Sequence, residues 1–173
     1  MPHLFSTSRA EAAVFRYPPV FFPVAIATAL VLQAYLPVLV HVALYLDLPL
    51  LVVIYWAINV RNPMSSSLLG AIMGLAEDSL SHLALGINGI AKTVIGYLNA
   101  SLGTQVDADH AGMRLGLVVV GFELNRLIVY LFERFLLGTP VPWRGAAYLL
   151  AALCNGALAA GLYRGFDRFR YWV

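Results

Sequence analysis

The sequence predicts an all-α polytopic membrane protein with six transmembrane helices, and three observations lead there. Hydrophobic residues make up 61% of the chain and charged residues only 12%, about half the roughly 25% of a soluble domain. The mean hydropathy is +0.79. The apolar residues gather into six runs separated by short polar turns. At about 20 residues per crossing, 173 residues hold six spans and no soluble domain. A net charge of +2 is too small for nucleic-acid binding, so the placement of charge along the chain carries the information.

Residues 1–17 are expected to form an N-terminal interfacial segment. Ser8 and Glu11 have capping-box spacing, and Ala10, Ala13, Val14 and Tyr17 share one face of a helix over 4–17. Arg9 and Arg16 would meet headgroups. About 16 mostly polar residues precede a run too long for a signal-peptide core, so no cleavable signal is expected. Pro18, Pro19 and Pro23 break the approach to the first span, about 20–38. A loop carrying His41 and Asp47 leads to a short second span, about 48–61. Asn62-Pro63 marks a sharp turn, after which the hydroxyls of Ser65, Ser66 and Ser67 are expected to cap backbone amides.

The third span runs about 64–80, the fourth 86–104, the fifth 112–137 and the sixth 145–164. Residues 18–164 thus form the six-helix transmembrane domain, and 165–173 a basic cytoplasmic tail rich in the aromatic and cationic groups that suit an interface. With six spans, Arg9, Arg16, Arg61, Arg114, Arg164, Arg168 and Arg170 share one side, against Arg134 and Arg144 on the other. The positive-inside rule then puts both termini in the cytoplasm. A five-span chain would lose this asymmetry.

Glu77, Asp78, Lys92, Glu123 and Arg126 lie inside the apolar runs. An ionised side chain at membrane depth costs several kcal/mol unless paired, hydrated or near an interface. Small and polar residues also recur at helical spacing. Ser67, Gly70, Gly74, Glu77, Asp78 and Ser81 share a side of the third span, and Gly89, Lys92, Gly96, Asn99 and Gly103 a side of the fourth. The fifth groups Gly112, Gly116, Glu123, Arg126 and Tyr130. Small residues let backbones approach and polar ones bond across the seam, so spans three to five are expected to turn these stripes inward. Lys92 or Arg126 is expected to pair with Glu123, with Glu77 and Asp78 within reach of Lys92 by snorkelling. Three roles are open for these charges: fixing helix register, binding another membrane protein, or handling protons or solutes.

Enzyme chemistry finds little support. The three serines lack a base and an orienting acid, and His41, His82 and His110 are far apart in the topology. Asp107, Asp109 and His110 read as a solvated turn rather than a cation site. Cys154 is the only cysteine, which excludes disulfides and thiolate metal sites, and is expected to be a buried thiol. Asn99-Ala100-Ser101 fits a glycosylation sequon but lies within the fourth span. No phosphate-cradling loop and no cofactor motif appear.

One segment is more specific. Gly74-Leu75-Ala76-Glu77-Asp78, then Leu85-Gly86, Gly89 and Gly96-Tyr97-Leu98, resembles the MreD family of rod shape-determining proteins, whose segment has the form G-L-x-x-D, a turn, L-G, and a helix ending near Y-L. Leu46-Asp47-Leu48-Pro49 also looks like that family's lead into its second span. Length and topology agree along most of the chain. Gly74, Asp78, Gly86 and Gly89 are the matching positions, and the family assigns them no catalytic or cofactor role. The resemblance implies a non-enzymatic subunit of the bacterial elongasome in the cytoplasmic membrane, regulating cell shape. It would bind MreC and work with MreB, RodA and RodA's transpeptidase partner to direct side-wall peptidoglycan synthesis. It also implies a fold similar to the substrate-binding component of energy-coupling-factor transporters. The alternative function is therefore a small-solute binder of that type, with Glu77, Asp78 and Lys92 lining its cavity. A proton-coupled transporter using Glu123 is a third reading.

Overall fold

A computed structural model of the chain describes residues 15–16, 18, 20–40, 45–81, 84–105, 110–138, 142, 145–169 and 171–172. Six α-helices make up the described fold: α1 Phe21–Leu39, α2 Leu48–Val60, α3 Pro63–Ser81, α4 Ile87–Gly103, α5 Ala111–Leu131 and α6 Gly145–Asp167. α5 runs on through a single π-helical turn, Phe132–Leu136. A two-residue strand β1, Phe15–Arg16, pairs antiparallel with β2, Tyr171–Trp172. Of the interfacial helix expected over 4–17, only Phe15 and Arg16 fall among the described residues. They are extended and held by the pairing with β2. His41, His82, Asp107 and Asp109 lie outside the described residues.

α1, the α5 segment Ala111–Leu136 and α6 are long and apolar enough to cross a membrane. The other three are set apart by burial or polarity. α2 has 13 residues, about 20 Å at roughly 1.5 Å per residue, and it is apolar all round. Such a helix belongs inside a bundle. Leu50, Leu51, Val53, Ile54, Tyr55 and Ala57 are fully buried, so α2 forms the axis about which the others pack. Its start is written in Leu46-Asp47-Leu48-Pro49. Asp47 is the N-cap, its Oδ1 accepting from the Leu50 amide at 2.9 Å, and Pro49 sits in the first turn, where no amide hydrogen is needed.

The α2–α3 junction turns on Arg61, whose φ of 52° is in the left-handed region. Asn62 then caps α3, accepting from the amides of Met64 at 3.0 Å and Ser65 at 3.2 Å. The capping expected of the serine hydroxyls falls to Asn62 instead, because an Asn one residue before Pro63 reaches those amides first. The Ser65 hydroxyl donates to the Asn62 carbonyl at 3.2 Å, and Ser66 is buried.

α3 and α4 form the most extensive helix pair, and glycine sets their separation. A Cβ on Gly70 would fall on the Lys92 carbonyl, one on Gly74 on the Asn88 carbonyl, and one on Gly96 on the Ser66 carbonyl. Each close approach is backbone to backbone, the arrangement that small residues permit in apolar bundles. α5 packs on α6 and α4, while α1 leans on α2 and α3. Cys154 is exposed on α6, not buried, because a thiol on a helix apolar enough to cross a membrane is as well accommodated by an apolar surrounding as by a core.

Candidate functional site: a buried ion cluster and a capped turn

The polar residues buried in the bundle form two centres. In the first, the Lys92 ammonium reaches from α4 to the head of α2. Nζ donates to Asp47 Oδ2 at 2.9 Å and lies 2.6 Å from Glu77 Oε2 of α3, a close ion pair whose angles miss those of a good hydrogen bond. Lys92 is wholly buried, and its two partners nearly so. A lone ammonium at this depth would be prohibitive. Two carboxylates at contact distance, with further donors on one of them, are what make it tenable.

Amides complete the centre. Asn125 of α5 donates to Asp47 Oδ2 at 3.4 Å. Asn155 of α6 accepts from the Asp47 amide at 2.9 Å and donates to the Tyr45 and Ala151 carbonyls at 2.8 and 2.9 Å. Gln33 of α1 brackets the same turn. Its side chain donates to the Leu46 carbonyl and accepts from the Leu48 amide, each at 3.0 Å. Side chains from α1, α4, α5 and α6 thus converge on residues 45–48, and Glu77 of α3 joins them through Lys92. A small crevice touches the cluster between α1 and α3, where Gln33, Glu77 and Ser81 border about 10 Å³, enough for about one water.

The second centre is Asp78, 1% exposed. Its Oδ2 accepts from the Gly86 amide at 2.8 Å and the Gly89 amide at 3.5 Å, and its Oδ1 from the Asn88 carboxamide at 2.8 Å. Asp78 belongs to α3 yet serves as the missing cap of α4, whose own N-cap, Gly86, has no side chain to offer. Gly86 has φ 103°, a conformation glycine adopts without strain. The negative charge faces the positive end of the α4 dipole. The segment Gly74 to Gly89 therefore reads as one device: a glycine contact, a carboxylate cap and a left-handed turn that fold α4 back onto α3. Gly89 lies against Leu75, a Cβ there meeting its side chain at 3.2 Å.

The pairing expected of Lys92 with Glu123 is replaced by Lys92 with Asp47 and Glu77. The inward face of α5 carries Val118, Gly121, Phe122 and Asn125, so Glu123 and Arg126 fall beside it, each half-buried. Arg126 sits 5.4 Å over the Phe122 ring and acts on Glu77 and Glu123 through space. No contact ion pair joins it to either. Gly112 and Gly116, placed on the same expected stripe, are exposed.

The sequence reading missed Asp47, Asn125, Asn155 and Gln33 as members of the network. Asn155 carried a usable signal, an amide alone in a long apolar run. Asp47 carried a competing one, since its place before Leu48-Pro49 reads as a turn. It is a cap, and its second oxygen does the ion pairing.

The arrangement offers no nucleophile with a base, and the described residues hold no group of His, Cys, Asp and Glu suited to a metal ion. It can hold helices in register and present a sealed polar core. A family model described as rod shape-determining protein MreD matches residues 12–139. No match is found among curated proteins or among solved structures.

Proposed function

The chain belongs to the family of the rod shape-determining protein MreD, and from that premise we propose that it is a non-enzymatic subunit of the bacterial elongation machinery, binding MreC and helping direct side-wall peptidoglycan synthesis. MreB, RodA and RodA's transpeptidase partner are its wider company. The reading carries six crossings of the inner membrane with both termini cytoplasmic, and a bundle like that of energy-coupling-factor substrate-binding components. The arginine distribution supports this orientation: Arg61, Arg114, Arg164 and Arg168 stand at helix ends on one side of the topology.

The observation that carries the assembly reading is that Lys92 and Asp78 are already partnered inside the bundle. Lys92 is consumed by two carboxylates and Asp78 by three donors, so neither is offered to a solute. The glycines Gly70, Gly74 and Gly96 are spent on the α3–α4 contact. On this reading MreC meets the outer, lipid-side faces of the helices, and the stripe on α3 and α4 supports binding indirectly by holding the bundle together. The crevice at Glu77 is only water-sized, which weighs against a vitamin held at the Lys92 cluster.

The deciding experiment is pull-down of the full chain from native membranes. Recovery of MreC and RodA supports the reading. Recovery of a transporter's coupling subunits with no MreC, or a melting temperature raised by a vitamin, overturns it.

A further inference from the structure

At the end of the bundle where α5 begins and α6 finishes, a cleft of about 180 Å³ lies between Arg114 and Leu115 on one wall and Ala160, Tyr163, Arg164 and Asp167 on the other. Its charges do not balance. Asp167 is claimed on both oxygens, by the Tyr55 hydroxyl at 2.9 Å and the Arg114 guanidinium at 2.7 Å. Arg114 thereby cancels the one carboxylate in the lining. Arg164 forms no ion pair with any described residue, and Arg168 follows one turn later.

The cleft therefore keeps a positive charge at its rim, while Leu115, Ala160 and the Tyr163 ring give it an apolar wall. Both helices that build it are apolar enough to cross a membrane. A cationic rim above an apolar wall, at the end of two spans, suits an amphiphilic anion lying along them. A guanidinium fork matches the oxygens of a phosphate. A zwitterionic headgroup would bring its own ammonium towards Arg164 and gain less.

We propose that this cleft binds a phosphate group, supplied in the membrane by the headgroup of an anionic glycerophospholipid. The site stands apart from the Lys92 cluster and does not depend on any protein partner.

The test follows the melting of the purified full chain with short-chain phosphatidylglycerol, phosphatidylcholine of equal chain length, or inorganic phosphate. Phosphatidylglycerol should raise the melting temperature in a concentration-dependent way, and phosphatidylcholine should not. Arg164→Gln should melt normally without lipid yet bind phosphatidylglycerol about tenfold more weakly, the scale of one charge-assisted contact. Ala160→Trp, which fills the cleft and keeps both arginines, should weaken it too, and it decides the matter if Arg164→Gln fails to fold. Equal shifts from the two lipids, or unchanged affinity in the folded variants, overturn the proposal. Should inorganic phosphate match phosphatidylglycerol at equal concentration, the phosphate site stands and its lipid source is rejected.

Discussion

Lys92 and Asp47 are separated by 45 positions in the chain and by 2.9 Å in the fold. The ammonium comes from the second turn of α4, and the carboxylate from the residue that caps α2. One side chain therefore starts a helix with one oxygen and binds a buried cation with the other. This ties the position of the α1–α2 turn to the register of α4, and Glu77 ties α3 to both.

Removing the cation leaves two carboxylates facing each other in an apolar interior. Lys92→Ala is expected to cost about 3–5 kcal/mol, the scale of breaking a buried pair from one side. Asp47→Asn retains an acceptor for the Leu50 amide and should cost less. A double-mutant cycle of Asp47→Asn with Lys92→Met, followed by thermal melting in detergent, should give a coupling of about 1–3 kcal/mol. Additive losses would show that the two side chains do not sense each other.

Asp78 makes a sharper test, because its three donors all lie in the turn or first residues of α4. Asp78→Ala orphans two backbone amides and a carboxamide, at about 1–3 kcal/mol for each buried group left unsatisfied. Asp78→Asn should fall between, since its one carbonyl oxygen can still serve an amide. Hydrogen exchange at Gly86 and Gly89 reads the effect locally. Unchanged protection there in a folded Asp78→Ala protein would rule out the capping role.

The glycines divide by what surrounds them. Gly70→Ala, Gly74→Ala and Gly96→Ala each drive a methyl group into a carbonyl of the facing helix, and separating α3 from α4 should cost about 1–3 kcal/mol or more, the scale of overpacking. Gly116→Ala meets nothing within 4 Å and should be neutral or stabilising by up to about 1 kcal/mol through helix propensity. Melting temperatures of the four variants check this, and similar losses in all four would dissolve the distinction.

Much of this architecture was legible in the sequence because the membrane imposes a coarse and strong rule on where apolar runs begin and end. The helix bounds sit within a few residues of the apolar runs, and Asp47-Leu48-Pro49 and Asn62-Pro63 mark two helix starts by local chemistry alone. What was not legible is rotation. A 100° step per residue places Glu123 and Arg126 on one side of α5, but only packing against α2 and α4 decides that Gly121 and Asn125 turn inward. Burial at the centre of α2 was equally invisible, since an apolar helix facing lipid and one facing protein have the same composition. Cys154 fell to the same ambiguity.

That difference in rotation sets an order among the charges. Lys92→Ala should be more damaging than either change on α5, because its partners touch it directly. Arg126→Ala loses a stacking contact with Phe122 and a through-space attraction, about 0.5–2 kcal/mol. Glu123→Gln keeps a polar group of the same size and should cost least. Melting of the three variants gives the ranking. Equal loss in Lys92→Ala and Arg126→Ala would place Arg126 in the core cluster.

Asn155 carries the last prediction, because α6 otherwise meets α2 through apolar groups and two hydroxyls: Tyr163 donates to the Leu51 carbonyl and Tyr55 to Asp167, each at 2.9 Å. Its carboxamide is spent in three directions, accepting from the Asp47 amide and donating to Tyr45 and Ala151. Asn155→Leu preserves volume and apolar character, so hydropathy alone would rate it harmless or favourable in a membrane helix. The hydrogen bonds say otherwise. The buried Asp47 amide would lose its acceptor, at about 1–3 kcal/mol. The Tyr45 carbonyl would lose a donor, and the turn that aims the Asp47 carboxylate at Lys92 would loosen. Asn155→Asp keeps an acceptor for the Asp47 amide but sets a third carboxylate beside Asp47, and should be worse than Leu. Thermal melting orders the pair, and an Asn155→Leu protein as stable as wild type would separate α6 from the ion cluster.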